Sequence, residues 1–300
     1  VGKSMKRSRR TKMNENAMVV ITGGLGHIGG ALAIELEKNN KVTVIDSEVY
    51  YACQELPSSV RVLRGDVAEL IKSVDEADYI FHFGEYARVE QSVSEADFVL
   101  NNNLSSILPV LQVAKRTNAK LIYSGSSTKF SDSGLAWRET PYGFSKYINS
   151  ELVKGYCDWC GIDYAILYFN NVYGGAERGL GKYATVIAKF IHLTTQGESL
   201  PVASPGDQRR SFTHIDDVLN AIKLIADRGV GDGYMISPDK DYSVLDIAKF
   251  MGAEIRMMPG SNSNRNGGLL DNAKVKNLGW SPKVDLKQYI KEQLTALKIM

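Results

Sequence analysis

Three hundred residues, 44% hydrophobic and 23% charged, suffice for a large α/β core and are ordinary for a globular protein. No run approaches 18 apolar residues, so no membrane span is expected, and three cysteines (Cys53, Cys157, Cys160) make no disulfide framework and point to a reducing, cytoplasmic setting. The net charge of +2 hides an asymmetry: Lys3, Lys6, Arg7, Arg9, Arg10 and Lys12 lie in the first twelve residues, which leaves a balance of about −4 for the rest.

In chain order, residues 1–16 read as a basic, disordered leader. Basic tails can bind nucleic acid, but this one has no aromatic interleaving, and it lacks the apolar segment of a secretory signal. Neither nucleic acid nor a membrane is an expected partner. Strands are expected over 18–22, 41–45, 60–63, 78–82, 119–124 and 163–168. The first runs directly into Gly23-Gly-Leu-Gly26-His-Ile-Gly29, and the second ends in Asp46, 17 residues beyond Gly29. A strand, a glycine turn, a helix and a second strand ending in an acid form a dinucleotide-binding unit. Its glycines let the backbone approach a pyrophosphate at the helix start. The Asp46 carboxylate can accept both adenosine ribose hydroxyls and would repel a 2′-phosphate, which favours NAD over NADP.

Between the fourth and fifth strands, Leu104, Ile107, Leu108, Leu111 and Ala114 recur at helical spacing and predict one apolar stripe. This alternation gives an α/β fold, a Rossmann-type parallel sheet with a smaller C-terminal substrate-binding domain. The NAD-binding domain is placed at 17–172, with possible later returns to it, and the mainly substrate-binding domain at 173–300. In the latter, helices are expected over Tyr183–Ile191 and from Asp216, and long loops over Thr194–Arg210 and Pro259–Gly268.

Tyr142-Gly-Phe-Ser-Lys146 follows Pro141, which suits a helix start. Residues four apart share a helical face, so the phenol and the ammonium can address one bound ring. A phenol with a pKa near ~10 is a poor base at neutral pH, and a lysine cation beside an oxidised nicotinamide favours the phenolate. Ser126 lies just past the fifth strand, at the same sheet edge as the glycine loop, where its hydroxyl can bond a reacting oxygen. Ser127 and Thr128 are alternatives for that role, and a local Ser/Thr turn is the plainer reading. Cys157-Asp-Trp-Cys160 falls within the Tyr142 helix and lacks a second ligand pair. His27, His82, His192 and His214 are scattered, so no metal is expected.

Together these segments resemble the extended short-chain dehydrogenase/reductase family, specifically its NAD-dependent nucleotide-sugar epimerases and dehydratases, over nearly all of residues 17–297. Gly23, Gly26 and Gly29 match its cofactor loop, with His27 and Ile28 inside it. Gly65-Asp66-Val67 matches the segment meeting adenine, Phe81-His-Phe83-Gly84 the segment lining the cofactor, and Asn103 an asparagine of the following helix. Ser126, Tyr142 and Lys146 fall on the catalytic serine-or-threonine, tyrosine and lysine. Tyr168-Phe-Asn-Asn171-Val-Tyr-Gly174 resembles the asparagine-bearing stretch that contacts nicotinamide and sugar nucleotide. Gln208-Arg-Arg210-Ser-Phe212 and His214-Ile-Asp-Asp217 match the substrate-domain arginine motif and its helix, and Asp271–Lys274 with Leu278-Gly-Trp-Ser-Pro282 the C-terminal signature. The resemblance implies Arg210 as diphosphate ligand, with Arg265 as a second and Arg178 a weaker candidate. It also implies a homodimer through helices near 96–116 and 142–159.

The chain departs from the pattern in places. Fifteen residues separate Ser126 from Tyr142, Tyr168 stands where an arginine is common, and Glu85 and Arg88 stand where small residues are common. Glu85 and Arg88 read either as a mutually neutralising pair or as groups contacting an unusual sugar. The activity implied is C4 epimerisation of an NDP-hexose, with a UDP-linked sugar as partner. Tyr142 takes the C4 hydroxyl proton while the C4 hydride passes to nicotinamide, and hydride returns to the other face of the 4-keto sugar. A 4,6-dehydratase needs an acidic pair where Ser127 and Thr128 stand, so it ranks second, with a 4-reductase, a decarboxylase and epimerisation at another carbon as further 4-keto-type possibilities. A noncatalytic NAD-binding regulatory protein is the alternative of another class.

Overall fold

The computed structural model describes residues 13, 15–48, 54–130, 136–181, 183–260 and 269–297; residues 1–12, Cys53 and Arg265 lie outside the described residues. The first half contains β1 (Met18–Thr22), α1 (His27–Leu36), β2 (Lys41–Asp46), β3 (Arg61–Arg64), α2 (Val67–Leu70), β4 (Tyr79–His82), α3 (Gln91–Ser94), α4 (Ala96–Thr117), β5 (Lys120–Ser124), α5 (Pro141–Cys160) and β6 (Tyr164–Phe169). The second half contains β7 (Val172–Tyr173), α6 (Val186–Thr195), β8 (Leu200–Ala203), β9 (Arg209–Ser211), β10 (Thr213–His214), α7 (Ile215–Arg228), β11 (Gly231–Ile236), β12 (Asp241–Ser243), α8 (Val244–Met251), β13 (Ile255–Met258), α9 (Ala273–Lys276) and α10 (Leu286–Ala296). Each of the six strands expected from sequence appears within one residue of its expected ends.

Seven strands form one parallel sheet in the order β11-β6-β5-β4-β1-β2-β3. Side chains alternate faces along each strand. Val19 and Ile21 therefore join Leu32 of α1 and Val218, Ile222 and Ile225 of α7. Val20 faces the other way, toward Ile107 and Leu111 of α4 and Val153 of α5. Strand order reverses between β1 and β4, and there the carboxyl ends part to leave a crevice, the usual place for a ligand in an open α/β sheet.

The apolar stripe expected on α4 is divided. Ile107, Leu111 and Ala114 are buried against the sheet, whereas Leu104 and Leu108 are 36% and 44% exposed. Successive residues on a helix are turned by about 100°, so Leu104 and Leu108, four apart, form a separate row beside the buried one. The helix expected over Tyr183–Ile191 begins at Val186. The loop expected over Thr194–Arg210 is interrupted by β8, which pairs in parallel with β13, and by β9, which pairs antiparallel with β12. Leu200 and Val202 point inward from β8 to Phe190, Ile247 and Ile290, giving a second, smaller core. Two alternating apolar residues in a turn-rich run carry little strand signal. Asp217 joins the two bodies: its carboxylate accepts the backbone N–H groups of Lys283 (2.9 Å) and Val284 (3.0 Å), and its carbonyl accepts Trp280 Nε1–H (2.8 Å).

Candidate active site

The crevice floor is built from glycine. Gly23 follows β1 at φ +69°, and a Cβ there would lie 2.8 Å from the Gly84 backbone. A Cβ on Gly29 would lie 2.2 Å from the Gly23 carbonyl oxygen. The loop thus turns tightly into α1, whose N-cap Gly26 brings no side chain to compete for the first helical N–H groups, those of His27 and Ile28 among them. Asp46 Oδ2 accepts the Leu25 N–H (2.9 Å) and Oδ1 accepts the Glu48 N–H (2.9 Å). A carboxylate oxygen has two lone-pair directions, so Asp46 keeps acceptor capacity for ribose hydroxyls while it fixes the loop. This cradle fits a dinucleotide. His27 Nε2 pairs with the Gly174 carbonyl (2.7 Å), binding the loop to the end of β7, and burial lowers its pKa. Asp66 caps α2 by accepting the Ala68 N–H (2.6 Å), beside a buried Val67. Phe83 stacks edge-on with Phe169 at 5.7 Å, and Gly84 N–H donates to Thr22 Oγ1 (3.0 Å).

Across the crevice, α5 starts where Thr140 Oγ1 accepts the Gly143 N–H (3.1 Å) with Pro141 at the first helical turn, and it ends at Gly161 in the left-handed region. The cap places half-buried Tyr142 in the first turn and Lys146 one turn on, buried on the same side. Ser126 is also buried, and its Oγ lies 2.9 Å from Thr128 Oγ1. Of the two alternatives to Ser126, Thr128 therefore shares its hydrogen bond and Ser127 is half-buried beside it. Lys146 Nζ donates to the Ser124 carbonyl (2.6 Å) and Ser124 Oγ (3.2 Å), and lies 2.7 Å from Glu85 Oε2.

The placement of Glu85 corrects both sequence readings of it. Its side chain has no exposed surface, so it neither pairs with Arg88 nor faces a sugar. Oε2 accepts from Tyr123 OH (2.8 Å), and Oε1 accepts from Asn149 Nδ2 (2.8 Å) with His82 Nε2 3.3 Å away. Burial alone would raise the Glu85 pKa, but the Lys146 cation and the His82 hydrogen bond outweigh it and hold the carboxyl well below its ordinary value. Burial and the same carboxylate push the Tyr123 phenol far up, which disqualifies it as a base at neutral pH.

The remaining expected residues are dispersed around this centre. Arg88 Nη2 donates to the Tyr183 carbonyl (2.9 Å), and its guanidinium sits 5.6 Å from the Tyr183 ring centroid. Asn103 is fully buried and spends its amide on the Tyr86 N–H (2.7 Å) and Ser145 Oγ (2.9 Å), tying α4 to the Glu85 segment and α5. Asn171 Nδ2 donates to the Ser211 carbonyl (2.8 Å), which brings the end of β6 to β9, where half-buried Arg210 stands. Neighbouring Arg209 is bound to Asp241 (2.8 Å). Tyr168, in the arginine-like position, donates to Asp232 (2.6 Å), itself paired with Lys129 (2.8 Å). Cys157 is a core residue whose thiol burial pushes up to about 12, and among the described residues no group of three or more His, Cys, Asp or Glu side chains could hold a metal ion. No described helix is long and apolar enough to cross a membrane. Thr22, Tyr123, Ser124 and Asn149 carry no local sequence signal, because threading the Glu85 carboxylate beneath α5 takes three-dimensional packing that no local pattern encodes.

A doubly wound parallel sheet, a glycine cradle with an acid at the end of β2, and a tyrosine–lysine pair across the same crevice define a nicotinamide-nucleotide-dependent α/β protein. The chain belongs to the NAD dependent epimerase/dehydratase family, whose model matches residues 19–237, and NAD is accordingly its cofactor. Among relatives, it is 27% identical to a putative UDP-glucose 4-epimerase of Methanocaldococcus jannaschii, over 94% of this chain and 98% of that one. It is 26% identical to a UDP-N-acetyl-alpha-D-glucosaminuronate decarboxylase of Bacillus cytotoxicus, over 77% of this chain and 78% of that one. Among solved structures, a UDP-N-acetylglucosamine 4-epimerase of Methanobrevibacter ruminantium in complex with UDP-N-acetylmuramic acid superposes with a TM-score of 0.86. That match covers 95% of this chain and 98% of the other at 23% identity, a likeness of fold.

Proposed function

We propose that the protein is an NAD-dependent nucleotide-sugar-modifying enzyme, and specifically that it epimerises C4 of a UDP-linked hexose through a 4-keto intermediate. The nucleotide-sugar class is supported by the relatives' activities and by Arg210, whose guanidinium suits the diphosphate. The choice of epimerisation rests on one observation: Ser126 is followed by hydroxyls, Ser127 and Thr128, and the nearby carboxylate of Glu85 is buried in an ion pair. Dehydration needs a competent acid and base at C5 and C6, and these hydroxyls supply neither.

When bound, NAD accepts a hydride from a sugar carbon and can return it. Tyr142 takes the proton from the C4 hydroxyl and gives it back when the carbonyl is reduced, with Ser126 hydrogen-bonded to the same oxygen. Lys146 supplies the positive charge that favours the Tyr142 phenolate and is placed for the nicotinamide ribose, to which it can turn from Ser124 Oγ, the longest of its three contacts. Gly23, Gly26, His27, Ile28 and Gly29 hold the pyrophosphate, Asp46 the adenosine ribose, and Asp66 with Val67 the adenine. Asn171 and Arg210 hold the nucleotide while the sugar ring turns. These groups act through orientation and electrostatics, with no covalent nucleophile. The protein acts as a homodimer through α4 and α5, whose outer faces carry exposed Leu104, Leu108, Phe144 and Ile148 in rows four apart.

The test is incubation of the purified protein with UDP-glucose, UDP-galactose, their N-acetylamino forms and UDP-glucuronate, with products read by mass and NMR. Unchanged mass with inverted C4 supports the proposal. Loss of water or of carbon dioxide would replace C4 epimerisation by one of the other 4-keto reactions.

A further inference from the structure

The buried carboxylate under α5 belongs to a chain of polar groups that begins at the cofactor loop. Thr22, the residue before Gly23, accepts backbone N–H groups of Phe83 (3.2 Å) and Gly84 (3.0 Å) at its Oγ1. Its own hydroxyl proton is then directed to His82 Nδ1, 2.7 Å away. An accepting Nδ1 leaves the ring proton on Nε2, which faces Glu85 Oε1 at 3.3 Å. Glu85 Oε2 in turn receives Tyr123 OH at 2.8 Å and Lys146 Nζ at 2.7 Å.

We propose that Glu85 is a positioning residue for the reaction: a permanently buried counter-ion that holds the Lys146 ammonium in place and tempers its pull on the Tyr142 proton. This rests on the reading of Tyr142 and Lys146 as the proton-transfer pair beside NAD. A lysine cation and an oxidised nicotinamide both drive a neighbouring phenol toward phenolate. A base driven too far gives its proton back poorly, and an enzyme that reduces its own keto intermediate needs the same phenol as an acid. Setting a carboxylate against Nζ removes most of one positive charge from beneath the pair. The groups facing Glu85 are His82 from β4, Tyr123 from β5, Lys146 and Asn149 from α5, while Asn103 and Ser106 of α4 back Asn149 and His82. Tyr142 lies one helical turn before Lys146 on the same side of α5. Glu85 is thus the only carboxylate touching Lys146 among the described residues.

Glu85→Gln keeps the side-chain shape and one acceptor oxygen while removing the charge, and Lys146 retains both Ser124 oxygens. The measurement is an absorbance titration of tyrosinate in the NAD-loaded protein, with the matching Tyr142→Phe protein subtracted so that only Tyr142 is read. It needs no substrate, so it is independent of which sugar is turned over and of the reaction assigned. Loss of the carboxylate is expected to lower the Tyr142 midpoint relative to the wild-type protein. A midpoint that stays put or rises overturns the proposal, whatever the protein's activity. Should Glu85→Gln fold poorly, melting of Lys146→Met and of Lys146→Met/Glu85→Gln serves in its place. A counter-ion left alone destabilises, so the double variant should melt higher than Lys146→Met, and a double variant melting lower would refute the pairing.

Discussion

Replacing Gly29 by alanine tests whether the glycine loop is held in its close turn by backbone contact. The added Cβ would lie 2.2 Å from the Gly23 oxygen, 2.9 Å from the Gly23 carbonyl carbon and 3.0 Å from Gly24 Cα. All three are backbone atoms, so no side chain can swing aside, and the loop must open by about an ångström to reach ordinary contact. Overpacking against fixed atoms costs about 3 kcal/mol. In a protein of this size that is roughly 5 °C in melting temperature. Gly161→Ala provides the contrast: at φ +67° with nothing within 4 Å of the new Cβ, it meets backbone strain alone, about 1–2 kcal/mol. The assay is thermal unfolding of both variants, with bound nucleotide released from the purified proteins and counted. Gly29→Ala should melt roughly 2–3 °C below Gly161→Ala and retain little NAD. A Gly29→Ala protein with wild-type melting and a full complement of NAD would refute the reasoning.

Asp46→Ala removes the acceptor for the Leu25 and Glu48 N–H groups as well as the proposed ribose contact, so calorimetry should show NAD binding weakened roughly tenfold to a hundredfold and discrimination against NADP reduced. Tyr142→Phe should bind NAD normally and lose about 10²–10⁴-fold in turnover, read in single-turnover experiments; unchanged turnover would remove Tyr142 from the chemistry. Glu85 has a folded pKa depressed to about 2 from an ordinary 4.5, so its contribution is present above about pH 4.5 and is lost as pH falls toward 2. That contribution is at most roughly 3 kcal/mol, and Glu85→Gln should flatten the acid limb of the stability curve; an unaltered limb would show that the ion pair adds nothing there.

The sheet was legible because each strand is a short apolar run and the glycine turn, Asp46 and Pro141 mark the joints. Local pattern also placed Tyr142 and Lys146, since helical spacing alone puts them on one face. It did not reveal what Lys146 rests on. Glu85 lies 61 residues earlier in the chain, and two polar residues three apart in a loop, Glu85 and Arg88, invite pairing with each other. Burial reverses that choice: Glu85 turns into the floor beneath α5 while Arg88 turns out over Tyr183. Strand β8 escaped notice for a related reason, because Leu200 and Val202 acquire their inward direction only from the second core they complete. The α4 stripe was visible as apolar residues, but the sequence could not divide the row facing the sheet from the row facing outward.

Whether one crevice takes a hydride from the sugar and returns it to the same carbon is read from UDP-hexose deuterated at C4. Product with inverted C4 is expected to carry deuterium at C4 without loss to solvent, and Tyr142→Phe to form it at least a hundredfold more slowly. Deuterium appearing in water or at another sugar carbon, or a product of lower mass, would contradict it.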